Sequence, residues 1–500
     1  MNPPHTRIFH AHILLPAAML TGLALTGCAA VGPDYVRPDT AGAPSWHTSL
    51  EGGLTAEEIS PQALAQWWTT FNDAQLSGLI ERAVAGNLDL KDARARIRQA
   101  RANRLIARAD MFPTLDLSAS DTWTRTSEET GTGRTNQLYS ASFDSGWEID
   151  VFGGVRRSIE AAEASLQATQ EDLRDILVTL VAEVALNYVE VRTYQSRLAV
   201  VRENLDAQSE TYQLTQWMFE AGLSDELAVE QAHYNLESTR SQIPALHTGL
   251  EEAKNRLAVL LGERPGEVRE ELDESRPIPL TSPKIAIGMP ADMMRRRPDI
   301  RRAERELAAQ TARVGIATAD LYPRFRLTGY IGVDAASFNK LVSNASSADD
   351  WTLSGGPGIS WAVFDAGAIR QNIEVQSALQ EQALIQYEAT ILTALEEVEN
   401  AIVAYTDEQY KNDNLREASQ SAQKAVELAK QQYEAGLTDF SNVLDAQRSL
   451  LSYQDQLAQS AGTVTSNLVR LYKALGGGWI SFASEENKKL FAGEQNERQE

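Results

Sequence analysis

The chain repeats itself at an interval of about 210 residues, and this duplication restricts its possible folds more than any other feature. Glu220-Ala221-Gly222-Leu223-Ser224 returns as Glu434-Ala435-Gly436-Leu437-Thr438, an offset of 214. The same offset pairs Glu183-Val184 with Glu397-Val398, Leu236 with Leu450, and Leu261-Gly262 with Leu475-Gly476. Earlier in each half the offset is 210, pairing Asp89 with Asp299, Ala93 with Ala303, Asp110 with Asp320 and Pro113 with Pro323. Small indels near Phe152 and Phe364 account for the drift. One pentapeptide can recur by chance; collinear matches through both halves cannot. A chain of 500 residues would ordinarily divide into several unrelated domains. Duplication instead calls for two copies of one layout: helix, two strands, very long helix, tight turn, helix. The first repeat reads as 75–288 and the second as 289–476, after an extended segment over 28–74 and before a tail over 477–500.

The helices carry coiled-coil spacing. Leu384, Tyr387, Ile391, Leu395, Val398, Ile402 and Tyr405 step by three or four throughout. Leu177, Leu180, Val184, Tyr188 and Val191 do nearly the same in the first half, and Leu236, Ile243, Leu246, Leu250, Leu257 and Leu260 continue the seam after Gly222. A soluble bundle would show this seam too, but length argues against a compact one. At about 1.5 Å per residue, a helix over 155–221 runs about 100 Å, and one over 366–435 about 105 Å. The shorter helices, 290–321 and 440–475, together sum to about 100 Å. Two short helices stacked beside a long one would wall a tube of even height. Pro244 falls inside a short helix and is expected to kink it.

Between the helices lie strands, expected at about 113–126, 136–152, 323–334 and 351–364. Tyr139, Ala141, Phe143, Trp147, Ile149 and Val151 alternate with Ser140, Ser142, Asp144, Gly146, Glu148 and Asp150. Trp351, Leu353, Ile359, Trp361 and Val363 do the same against Thr352, Ser354, Gly356 and Ser360. Leu115, Leu117, Ala119 and Trp123 make a third apolar row, and Phe325, Leu327, Ile331 and Val333 a fourth. Long alternating strands with aromatics near their ends resemble an outer-membrane barrel. A soluble sheet buried on one face alternates identically. The connections Thr126–Asn136 and Asp334–Asp350 are rich in polar and small residues, the first with Gly131 and Gly133, as extracellular loops would be. Four strands cannot close a membrane barrel, whose known minimum is about eight, and an open sheet edge in lipid leaves backbone groups unpaired. If the strands span a membrane, several chains must share one barrel.

The N-terminus reads as a bacterial signal segment over 1–27, with Arg7, an apolar run from Ile13 to Leu25, and small residues before Cys28. Leu25-Thr26-Gly27-Cys28 resembles a lipobox, whose cysteine carries covalent lipid and becomes the mature N-terminus. The apolar run is too short for a membrane-spanning helix, which needs about 20 residues. By resemblance to bacterial lipoproteins, Ala29 rather than Asp after the cysteine favours the outer membrane. Cys28 is the only cysteine, so no disulfide is possible within the chain. Removing 1–27 takes away one positive charge and moves the net charge from −23 to −24. Such a balance argues against nucleic-acid binding, which needs a basic footprint.

At this point the chain resembles the TolC-like outer membrane factor family, in its lipoprotein branch. The resemblance is carried by Gly32-Pro33-Asp34-Tyr35-Val36-Arg37-Pro38, Asn87-Leu88-Asp89-Leu90, Trp147-Glu148-Ile149-Asp150-Val151-Phe152-Gly153, Arg296-Arg297-Pro298-Asp299-Ile300-Arg301, Ala319-Asp320-Leu321-Tyr322-Pro323 and the two Glu-Ala-Gly-Leu turns. Each is weak alone; in this order they are specific. Membership implies a mainly α fold with a membrane β-barrel. A homotrimer would share a twelve-stranded barrel, four strands per subunit, above a long coiled-coil α-barrel. An equatorial collar would come from 262–290 and the segments after Asn400 and Gly476. The implied task is that of an outer membrane exit duct. It would be passive, with a periplasmic adaptor and an inner-membrane RND-type transporter as partners, and outer membrane lipid around it.

The implied site residues are few. Asp445 and Arg448 match the family's periplasmic gate acid and its basic partner, and Asp439 lies just past the turn. Ser441 stands where relatives often carry a bulky apolar gate residue. Three copies of an acid around a narrow pore repel by about 2 kcal/mol per pair at about 8 Å, which favours cations. Gly222-Leu223-Ser224 and Gly436-Leu437-Thr438 would meet the adaptor, although they also satisfy a plain glycine helix end followed by a new helix start. Nothing points to an enzyme, a cofactor beyond lipid on Cys28, or a metal. His233 and His247 are a poor ligand pair, 14 residues apart. The same duct could serve a type I protein secretion system. A periplasmic coiled-coil tether is the rival of a different class.

Overall fold

The computed structural model describes residues 30–39, 45–58, 60–279, 284–344 and 351–479. Cys28, the signal segment 1–27 and the tail past Trp479 lie outside the described residues. The strands are β1 (Leu54–Thr55), β2 (Thr114–Arg125), β3 (Thr135–Ile149), β4 (Ile285–Ala286), β5 (Arg324–Ala335) and β6 (Trp351–Ser360). The helices begin with α1 (Pro61–Ala65), α2 (Ala74–Gly86), α3 (Leu88–Ala109) and α4 (Gly154–Glu220). After the first tip come α5 (Glu226–Arg240), α6 (Gln242–Leu261), α7 (Arg269–Leu272), α8 (Pro290–Arg296) and α9 (Pro298–Ala319). The last are α10 (Phe338–Asn344), α11 (Ala368–Glu434) and α12 (Phe440–Ala474). Both long helices, α4 and α11, have 67 residues, about 100 Å each.

The chain divides into two compact units. One contains residues up to Pro38, Arg96–Thr169 and Arg302–Tyr387, and its centre is an antiparallel sheet in the order β2-β3-β5-β6. Register decides what the four apolar rows become. Leu117 pairs with Phe143, Phe143 with Ile331, and Ile331 with Leu353. Directly opposed residues share a face, so all four rows merge on one side of the sheet. That side is open: Leu117 is 70% exposed, Phe143 43% and Leu353 77%. The opposite face aligns Asp116, Asp144, Tyr330 and Ser354. From Tyr139 to Ile149 the apolar band covers ten residue steps of β3, about 34 Å of strand. At a tilt of about 40° this is about 25 Å of height, the thickness of a barrel's lipid-facing band. Among the described residues, β2 and β6 each have a strand neighbour on one side only.

The other unit holds Asp39–Ala95, Gln170–Arg301 and the chain from Glu388. The expected seams are its core: Leu177, Val184, Tyr188, Val191, Val398 and Ile402 are buried, whereas Leu392 and Val403, off the seam, are exposed. β1 pairs in parallel with β4, joining the N-terminal segment to the 262–290 linker.

Several expectations need correction. The 28–74 segment is not extended throughout. Ser60 caps α1 by accepting from Ala63 N (3.1 Å), Pro61 opens the helix, and Trp67, Trp68 and Phe71 are buried in the 3-10 turn that follows. Ser-Pro is an ordinary helix-start signal, legible in the sequence. The strand expected over 351–364 ends at Ser360, opposite Arg324. The next residue on the partner strand is Pro323, which has no N–H for another rung. The helix expected over 290–321 breaks at Arg297, held extended (φ −62°, ψ 125°) by the following Pro298. The kink expected at Pro244, by contrast, is present. It falls at Ser241, between α5 and α6, and Ser241 keeps helical dihedrals (φ −65°, ψ −15°) and its bond to Glu237 O, because the proline's ring and missing N–H disturb the preceding turn. The Asp334–Asp350 connection carries α10, whose Phe338 packs edge-on against Tyr139 at 6.1 Å. Ser142 lies on the polar face as expected but is buried, with its hydroxyl donating to Asp144 (3.1 Å).

Candidate functional site

The base of the sheet is built twice from the same parts. Trp147 Nε1 donates to Met111 O at 2.9 Å, and Trp361 Nε1 donates to Leu321 O at 3.0 Å. The tryptophans are 214 residues apart and their acceptors 210, the two repeat offsets. Phe152 stacks on Tyr322 at 4.5 Å beside them. At the far end of the band stand Trp123, Tyr139 and Trp351. Aromatics therefore flank the apolar face at both ends, where amphipathic rings suit a membrane–water boundary. The polar face carries an Arg326–Glu148 ion pair (3.4 Å), beside a cavity of about 480 Å³ lined by Asp110, Glu148, Asp150, Asp320, Arg324 and Arg326. Val31 N donates to Phe152 O at 3.0 Å, bringing the N-terminal segment to this base.

The tips are also built twice. Gly222 and Gly436 adopt φ of +72° and +70°. Leu223 N reaches back to Met218 O (2.7 Å) and Gly222 N to Phe219 O (2.9 Å). Leu437 N to Gln432 O (2.8 Å) and Gly436 N to Tyr433 O (2.9 Å) repeat the pattern. These paired bonds are the Schellman helix end, and only glycine enters that conformation without strain. Leu223 and Leu437 are left 73% and 77% exposed. The next helices start at Asp225 and Asp439 rather than at Ser224 and Thr438. Asp225 accepts from Ala228 N at 2.9 Å, while Asp439 occupies the cap position without a side-chain bond and Thr438 Oγ1 accepts from Asn442 instead.

Two turns into α12 the proposed gate pair meets. Arg448 Nη1 lies 3.6 Å from Asp445 Oδ1, whose side chain is 74% exposed. Arg448 is committed mainly to α5 of its own chain. Its Nε donates to Asn235 Oδ1 at 2.9 Å, another nitrogen bonds Tyr234 Oη, and its guanidinium lies 5.1 Å from the Tyr234 ring centroid. Sequence reasoning missed Tyr234 and Asn235, because their relation to Arg448 spans more than 200 residues. Ser441 is exposed. Behind an apolar cluster next to the tips (Phe440, Val443 and Leu444 with Ala228 and Ala232), polar groups enter the coiled-coil core: Gln447 donates to Thr211 (2.9 Å), Asn204 donates to Gln454 (2.6 Å), and Gln208 is buried with neither amide atom partnered among the described residues. His233 stacks on Tyr212 at 5.1 Å, an ordinary packing role.

The motifs that open each repeat meet the glycines that close it. Asn87 Nδ2 donates to Leu260 O (3.0 Å), two residues before Gly262. Its counterpart Arg297 donates to Ala474 O (2.7 Å) and ion-pairs with Asp299 and Glu397, both at 2.7 Å. Burial alone would lower the Arg297 pKa; the two carboxylates outweigh it and hold it above the usual arginine value. Trp479, unread in the sequence, is buried with the Arg174 and Arg301 guanidinium groups 5.0 and 5.7 Å from its ring centroid.

An exposed apolar sheet face of bilayer height marks a membrane-spanning wall. Comparison with known proteins gives the class its family. The family model described as outer membrane efflux protein matches residues 79–263 and 289–477. Nodulation protein T of Rhizobium leguminosarum bv. trifolii is 33% identical over 86% of this chain and 91% of its own. A solvent efflux pump outer membrane protein, SrpC of Pseudomonas putida, is 32% identical over 89% and 95%. The solved outer-membrane channel OprN superposes with a TM-score of 0.83 at 37% identity, covering 90% of this chain and 99% of its own. The chain belongs to the outer membrane efflux protein family. It resides in the outer membrane and serves efflux through it.

Proposed function

We propose that the protein is the passive exit duct of a tripartite efflux pump for small molecules. A homotrimer closes a twelve-stranded barrel from three copies of the four-stranded sheet. A periplasmic adaptor meets the Leu223 and Leu437 tips, and an inner-membrane RND-type transporter supplies the energy. Cys28 carries lipid; no catalytic step, cofactor or metal is involved. Asp445, Arg448 and Asp439 border the periplasmic constriction. The observation that carries this reading is the apolar face of about 25 Å on a sheet with two open edges. Lipid accepts such a face, but it does not accept unpaired strand edges, so copies must close on one another. The solvent efflux pump relative supports small-molecule export. Purified in detergent, the protein should run as a heat-modifiable trimer and conduct ions in planar bilayers. A monomer silent in bilayers with or without adaptor would overturn the duct reading.

A further inference from the structure

The Gly32–Pro38 motif has no task in the duct as described, yet it is held unusually firmly. Arg157, 4% exposed, gives most of its fork to this distant segment. Its Nε donates to Val31 O at 3.1 Å, and its Nη2 donates to Gly32 O at 3.2 Å and to Asp34 Oδ1 at 2.7 Å. Shape adds to charge. Gly32 has φ of +85°, and a Cβ on it would stand 2.5 Å from Gly315 Cα. A Cβ on Gly315 would stand 2.9 Å from the Arg157 side chain. Further along, Tyr35 packs against Ala164, Ala308 and Ala309, and its hydroxyl donates to Glu304 at 3.2 Å. Arg37 ion-pairs with the same Glu304 at 3.2 Å.

We propose that residues 30–37 form an intramolecular clasp, seated in the Arg157–Gly315 socket, that sets the depth of the lipid-bearing N-terminus and is needed to seat the sheet in the bilayer. The proposal rests on lipidation of Cys28. Ala30 abuts Gly153, just past β3. Cys28 is two peptide units away, a reach of about 7 Å. With the clasp closed, the lipid-bearing residue is tethered within that reach of Gly153, just past the margin of the apolar band at Ile149. With it open, residues 30–38 become slack of about 30 Å, as long as the hydrocarbon core is thick. A lipid on so long a leash anchors the chain without fixing its height.

The test uses the full chain expressed in a Gram-negative host, with Gly32→Ala and Arg157→Ala. Gly32→Ala ejects the segment without altering any helix, so it separates the clasp from damage to α4. Labelling with radioactive palmitate reports lipidation. Hydrogen exchange of residues 30–38 reports the clasp, and the yield of heat-modifiable oligomer in outer membranes reports seating. Both variants should keep wild-type labelling, exchange this segment about tenfold faster, and lose oligomer several-fold. Unchanged exchange, or faster exchange with wild-type oligomer yield, overturns the clasp. An unlabelled wild type overturns the lipid reading and the depth-setting role with it, whatever the exchange.

Discussion

Arg448 is held by its own chain, and that changes what its removal should do. Its bonds to Asn235 and Tyr234 join α12 to α5, while Asp445 keeps most of its surface free. Arg448→Ala therefore loosens the helix pair near the tip, and Asp445→Ala removes charge without loosening it. Arg448 is 42% exposed, so solvent screening limits the loss to about 1 kcal/mol. Single-channel recordings should show larger or more frequent openings in Arg448→Ala and reduced cation preference in Asp445→Ala. If both match wild type, the gate assignment is wrong and the duct survives. Tyr188 makes an alkaline prediction. Burial, aided by its bond to Asp73 (2.6 Å), pushes its pKa up to about 12. A raised folded-state pKa favours the neutral phenol, so its stabilisation is complete below about pH 10 and fades as pH rises toward 12. Thermal unfolding in detergent should lose stability over this range in wild type and lose less in Tyr188→Phe.

At the scale of the element, the sheet's two faces should respond oppositely to one substitution. Phe143 lies near the middle of the apolar band, between Tyr139 and Ile149. Phe143→Arg should cost about 2–4 kcal/mol of folding in lipid. Ser142 is too closely packed to serve as the polar-face control. Thr328 serves better, because it is exposed and its register neighbours are Gly146 and Gly356. Thr328→Arg has room and faces the polar side, so it should cost under about 1 kcal/mol. Urea unfolding in lipid vesicles measures both; equal tolerance would mean that the sheet does not meet lipid.

At the scale of the whole molecule, closure is the constraint. β2 and β6 cannot pair with each other in a four-stranded open sheet, yet neither edge can face hydrocarbon. Each edge should pair with its opposite number in the next copy. A cysteine at Leu117, scanned against cysteines along β6 at 352–359, should cross-link between copies in native membranes and give a ladder ending at three chains. Cross-links confined within one chain would rule out shared closure.

What the sequence determined by itself was everything written in local periodicity or repetition. Alternation marked the strands, the three-four spacing of Leu177 to Val191 marked the buried seam, and the recurring Glu-Ala-Gly-Leu marked both tips. These signals are local because each residue's face follows from its neighbours' geometry. Even the Ser60-Pro61 helix start was there to be read. The tertiary structure alone decided the rest. Register merged four apolar rows into one face. Chain reversal brought Arg448 to Tyr234, Arg297 to Ala474 and Arg157 to Gly32. Those contacts join residues 125 to 214 positions apart. A charged side chain's partner at that distance depends on which backbones the fold brings within about 3 Å, a condition no local pattern encodes.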